Sequence, residues 1–204
     1  MKLQSLNLAL QIITALLSIH YLFFKDKSRF TIILALFLSL IAIIESIGAF
    51  MLYIINVSTL KLHYVNILFL FTIIYVMYLF LIRNKNKRRV MSILHIVFII
   101  TWCLLYKNLN LSYLMILGSF NTSIFLFFYL NKLLASQRII NYKKILPFWV
   151  TVGFFTFYLP SVPFFILFNY LKNRSLFTIL IILSMIMNII ILYGLLCSSK
   201  EEKY

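Results

Sequence analysis

The sequence predicts an all-α fold, a polytopic transmembrane bundle of seven spans with the N-terminus outside and the C-terminus cytoplasmic. Three observations lead there. The 204 residues are 64% hydrophobic and only 11% charged, whereas a soluble domain carries roughly 45–50% apolar and about 25% charged residues. The apolar residues fall into seven runs separated by short polar connectors. The formal charge of +15, from 19 basic and 4 acidic residues, is distributed unevenly over those connectors. Disordered, collagenous and disulfide-scaffold chains are excluded by 4 Gly, 3 Pro and 2 Cys. At about 20 residues per crossing the chain is taken up by its spans, leaving no soluble domain.

The spans are read as Ser5–Phe24, Phe30–Val57, Leu62–Ile82, Val90–Tyr106, Leu111–Asn131, Ile145–Leu171 and Ser175–Cys197. Each is long enough to cross a bilayer as a helix, and the longer ones must tilt or break. None shows the strict alternation of a barrel strand. The first span follows Met1-Lys2 but lacks a small-x-small exit, so it is expected to be a retained helix and not a cleaved leader. With seven residues after Cys197, no C-terminal effector domain is expected.

Orientation follows from the basic residues. Connectors 1–2, 3–4 and 5–6 and the C-terminal tail hold 14 of them, and the other side holds 5. The richer side is expected to face the cytoplasm, which suits the inner (plasma) membrane of a bacterium. The cluster Arg83, Lys85, Lys87, Arg88 and Arg89, with Lys143 and Lys144 in the next such connector, is expected to meet anionic lipid headgroups or an acidic cytoplasmic protein. No direct nucleic-acid contact is expected, because the charge is scattered over membrane-adjacent loops. Self-association into a homo-oligomer stays open.

Polar residues within spans carry the functional information, since they are costly in lipid and point at protein or a cavity. Span 1 carries Asn7, Gln11, Thr14 and Ser18 on one helical face. Span 2 carries Glu45, the only acid within a span, three residues before Gly48. An unpaired carboxylate there must be neutralised or take a hydrogen bond from an Asn, a Tyr or His95. Asn121, Tyr158, Asn188 and Trp102 fall at comparable depths on other spans. One reading makes these groups glue between helices; the other gathers them with Glu45 and His95 around one mid-membrane polar site for a ligand or a proton. In span 6, Gly153 precedes Pro160 and Pro163, and a mid-span Pro-x-x-Pro predicts a helix break. Such breaks mark binding sites in transporters and plain kinks in receptors. No second span repeats it.

Motifs for known intramembrane chemistry are missing from the sequence. There is no HExxH, no GxSxG and no paired mid-span Asp, and span 7 lacks the Lys a retinal would need. His95 and Cys103 on span 4 resemble the His/Cys pair of the accessory gene regulator peptidases, but Ile93-Leu94 stands where those enzymes have a Gly-Gly-rich run, and the spacing is longer. Cys103 and Cys197 have neither CxxC spacing nor metal-ligand partners. No catalytic residue, metal or cofactor is expected.

The last third carries a broader resemblance. Leu146-Pro147-Phe148-Trp149-Val150-Thr151-Val152-Gly153, then Phe157-Tyr158, together with Asn188-Ile189-Ile190, Tyr193-Gly194-Leu195-Leu196 and Glu45-Ser46-Ile47-Gly48, resembles uncharacterised seven-helix membrane proteins of Bacteroidetes-type bacteria. Span 3 departs from them, since 71–80 has no acid. The resemblance implies seven helices, N-out, and a sensor-like role, with no established activity. The expectation is a non-enzymatic sensory or regulatory membrane protein. The alternatives are a small-solute or proton-coupled transporter, or a pore-forming or membrane-bound accessory protein of a bacterial immunity (for example CRISPR-associated) system.

Overall fold

The computed structural model describes residues 2–106, 111–135, 145–167 and 175–198. Seven α-helices are found there and no strand: α1 (Lys2–Phe24), α2 (Arg29–Phe50), α3 (Leu60–Leu81), α4 (Lys85–Leu105), α5 (Leu111–Leu134), α6 (Leu146–Leu167) and α7 (Ser175–Cys197). All seven are long and apolar enough to cross a membrane. The molecule is a multi-pass membrane protein.

Three features differ from the sequence reading, each for a local reason. Helix α2 stops at Phe50 and passes into one π-helical turn, Met51–Ile55, ended by Asn56 in the left-handed conformation at φ 57°. Asparagine tolerates that region better than most residues, so it closes the π turn one residue short of the expected end of the span at Val57. Helix α4 begins at Lys85, well inside the basic cluster, because Asn84 caps it: its Oδ1 accepts from the backbone N–H of Asn86 at 2.9 Å and of Lys87 at 3.2 Å. Four of the five basic residues expected in a loop, Lys85, Lys87, Arg88 and Arg89, therefore stand on the first turns of a helix. Helix α6 runs unbroken through Pro160 and Pro163, where the sequence predicts a break. Pro147 sits in its first turn, where a missing N–H is harmless. The expected span as far as Leu171 extends beyond the described residues, as do Lys143 and Lys144.

The helices pack in a ring. Helix α1 lies against α2 and α7, α2 against α3, α3 against α5, α5 against α6, and α6 against α7. Helix α4 is outside this ring, seated on α3 and α5. Close approaches rest on glycine. A Cβ on Gly153 would meet Ile191 Cγ1 at 3.0 Å and the Met187 carbonyl at 3.1 Å, so this glycine lets α6 approach α7. Gly118 of α5 likewise faces the ring of Phe71, leaving no room for a side chain. The centre is apolar: Phe37 meets Phe154 edge-on with centroids 5.2 Å apart, beside the fully buried Leu34 and Ile74.

Cross-contacts define two ends. At one, Lys25 Nζ donates to the Leu196 carbonyl, Lys132 Nζ to the Leu81 carbonyl, Arg29 lies over Phe80, and Lys87 over Phe128. At the other, Tyr53 Oη donates to Gln4 Oε1 at 2.9 Å, and the start of α3 meets the end of α4 through Tyr64 and Trp102. Of the described basic residues, nine stand at the first end and only Lys2 and Lys61 at the second.

Candidate functional site: a polar cavity between helices α1, α2, α3 and α7

At the sparsely charged end a cavity of about 510 Å³ opens between the starts of α1, α3 and α7 and the end of α2 with its π turn. Its polar lining includes Gln4, Asn7, Gln11, Glu45, Tyr53 and His63. The apolar wall comes mainly from Leu8, Ala49, Leu52, Phe177 and Ile181. From Gln4 to Gln11 the lining follows α1 for about 10 Å at 1.5 Å per residue, so Gln11 marks the deep end. Farther along α2 the bundle is closed by Phe37 and Leu34, both fully buried.

Each lining residue has a local cause. Asn7 and Gln11 are at i, i+4 and share a face of α1, as do Gln4 and Leu8. Glu45 and Gly48 are at i, i+3 on α2. Gly48 has no side chain, and the His63 ring fills the space in front of it: a Cβ there would be 3.7 Å from His63 Nε2. The π turn shifts register after Phe50 and turns Leu52 and Tyr53 to the cavity, and such turns often accompany sites. Tyr53 then ties the end of α2 to the start of α1 across the mouth.

Three of the polar groups in the cavity are short of partners. Gln11 is only 9% exposed and has no hydrogen bond among the described residues. The Asn7 side-chain oxygen is enclosed without a donor. Glu45 is half-buried and makes no ion pair or hydrogen bond among the described residues. No Lys or Arg lines the cavity. The other described acid is accounted for: Asp26 Oδ1 accepts from Ser28 N–H at 3.1 Å and Oδ2 from Thr31 Oγ1 at 2.8 Å, within the cap of α2.

The residues that the sequence reading grouped with Glu45 are elsewhere, and none lines this cavity. Asn121 Nδ2 donates to the Leu94 carbonyl at 3.1 Å, tying α5 to α4, while its oxygen has no partner. His95 is buried and stacks flat on Tyr75, centroids 4.2 Å apart at 9°. Trp102 Nε1 donates to the Tyr64 carbonyl at 3.1 Å and Tyr64 Oη to the Trp102 carbonyl at 2.6 Å, a reciprocal clamp between α3 and α4. Tyr158 is buried among Phe71, Phe154 and Phe157. Asn188 Nδ2 donates within its own helix to the Ser184 carbonyl at 2.8 Å. Near the prolines, Ser161 Oγ donates to the Tyr158 carbonyl at 2.8 Å.

Of the polar lining, Gln4, Ser5, Tyr53, Thr59 and His63 are the residues that sequence reading missed. His63 could have been paired with Gly48, because the turn between spans 2 and 3 is short and a glycine one turn from an acid leaves room for a ring.

The basic cluster lies at the opposite end of the bundle. Arg83, Lys85, Arg88 and Arg89 are exposed there, and Lys87 is half-buried against Phe128.

Compared with protein-family models, curated proteins and solved structures, the chain matches none.

Proposed function

We propose that the chain is a non-enzymatic sensory or regulatory protein of a bacterial inner membrane, which binds a small solute in the α1/α2/α3/α7 cavity from outside. The single observation behind this reading is the cavity itself. It gathers a carboxylate, carboxamides and an imidazole short of partners, and it ends on a packed apolar core. Its volume is in the usual range for a small-molecule site, about 300–1,000 Å³. A blind pocket binds; a path through the bundle would be needed to transport.

The nine basic residues at the far end support the N-out, C-in orientation, because connectors rich in Lys and Arg stay in the cytoplasm. On this reading the start of α4, with Lys85, Lys87, Arg88 and Arg89, faces anionic headgroups and docks a cytoplasmic partner. Basic side chains at a helix N-terminus oppose the helix dipole, a cost of about 0.3–1 kcal/mol each at low salt, which a bound anion offsets.

Proteoliposomes test the reading. Flux of protons, potassium and small amines is expected to equal that of empty vesicles. Saturable uptake of any of them would overturn the receptor reading in favour of a transporter.

A further inference from the structure

We propose that the cavity takes a small organic cation, a primary ammonium attached to a compact apolar body. The inference rests on the reading of this cavity as a binding site and names its ligand class.

Charge is the first ground. The chain is strongly basic, yet the lining holds one carboxylate, Glu45, and neither Lys nor Arg. A cation entering the cavity meets an acid with no competing internal partner. An anion would meet the same acid with no compensating charge, in surroundings where unpaired charge is costly.

The second ground is the buried, unpartnered amide. Gln11 is nine-tenths buried, lines the cavity and spends neither its carbonyl nor its amine on protein among the described residues. Its neighbour on the same face, Asn7, has an enclosed oxygen lacking a donor. An ammonium has three donors and no acceptor, so a carboxylate and amide oxygens are complementary to it.

The third ground concerns the body of the ligand. Leu8, Leu52, Phe177 and Ile181 supply an apolar wall beside the polar groups. A bare metal ion has no use for such a wall. No group of three or more His, Cys, Asp or Glu stands together among the described residues, and a divalent cation would want more oxygen ligands of that kind. An amine with an alkyl or aryl body uses both sides of the cavity.

The test compares three probes of one shape: benzylammonium, benzyl alcohol and benzoate, each titrated into the full-length purified protein in detergent at constant ionic strength, with thermal stability as readout. Benzylammonium is expected to stabilise saturably, with the alcohol and benzoate weaker by roughly tenfold or more. Glu45→Gln is expected to weaken benzylammonium by roughly tenfold or more, and Glu45→Asp to retain part of the response. Equal responses to the three probes in the unaltered protein overturn the proposal without any variant. A Glu45→Gln protein that responds like the parent overturns it too. Vesicle uptake of benzylammonium would sink the receptor reading and leave the cation site standing, so the two failures are separable.

Discussion

The two sides of the bundle use their polar side chains differently. Across α3, α4, α5 and α6 most are spent on protein, the Asn66 and Asn121 side-chain oxygens excepted: Tyr78 Oη and Thr151 Oγ1 are 2.8 Å apart, Tyr75 Oη and Ser92 Oγ 2.8 Å, and Tyr64 and Trp102 clasp each other's backbones. Around the cavity between α1, α2, α3 and α7, Gln11 and Glu45 have no such partner among the described residues. A polar residue in a span is therefore not a site by virtue of depth. What separates a site from glue is whether its hydrogen-bonding capacity is already used.

Several substitutions sharpen the contrast. The largest effect is expected in the packed half, at Gly118. Gly118→Val drives a side chain into the Phe71 ring, which is itself buried, and should cost about 2–3 kcal/mol. Phe71→Leu in the same chain should restore part of that loss, read as thermal stability in detergent. Next, Tyr78→Phe removes one partner of a fully buried pair and should cost about 1 kcal/mol. Trp102→Phe breaks one arm of the α3–α4 clamp and should cost about 0.6 kcal/mol, the average for side-chain bonds in membrane bundles. The smallest effect is expected in the cavity. Glu45→Gln and Gln11→Leu remove groups that hold nothing together, so unliganded stability should stay within about 0.5 kcal/mol of the parent or rise. A large loss on Glu45→Gln would mean that the carboxylate is structural after all.

Much of the fold was legible because the bilayer imposes it. Seven apolar runs give seven helices, and polar connectors mark their ends within a few residues. The exceptions turn on single residues: Asn84 starts α4 early by capping it, and Asn56 closes the π turn after α2 in the left-handed conformation. Hydropathy registers neither. Pro160 and Pro163 show the converse, as a helix can carry prolines whose missing N–H groups its surroundings tolerate.

The candidate site was half legible. Glu45 stands out as the lone acid within a span, and Asn7 and Gln11 as a polar stripe. Their union depends on which helices neighbour one another, and no span-by-span depth count contains that. Asn121, Trp102, Tyr158 and Asn188, which share a depth with Glu45 in sequence, and His95, read as its hydrogen-bond partner, have neighbours of their own in space.

On the proposed reading the cavity opens outward and favours cations. Intact cells carrying Gln11→Cys, with Cys103→Ser and Cys197→Ser to remove the native thiols, test both with two membrane-impermeant thiol reagents, one cationic and one anionic. Ser58→Cys, exposed in the α2–α3 turn, serves as the reference for surface charge. Relative to that reference, Cys at the Gln11 position is predicted to react faster with the cationic reagent by roughly tenfold. Equal relative rates, or no reaction from outside, would contradict an outward-facing cation site.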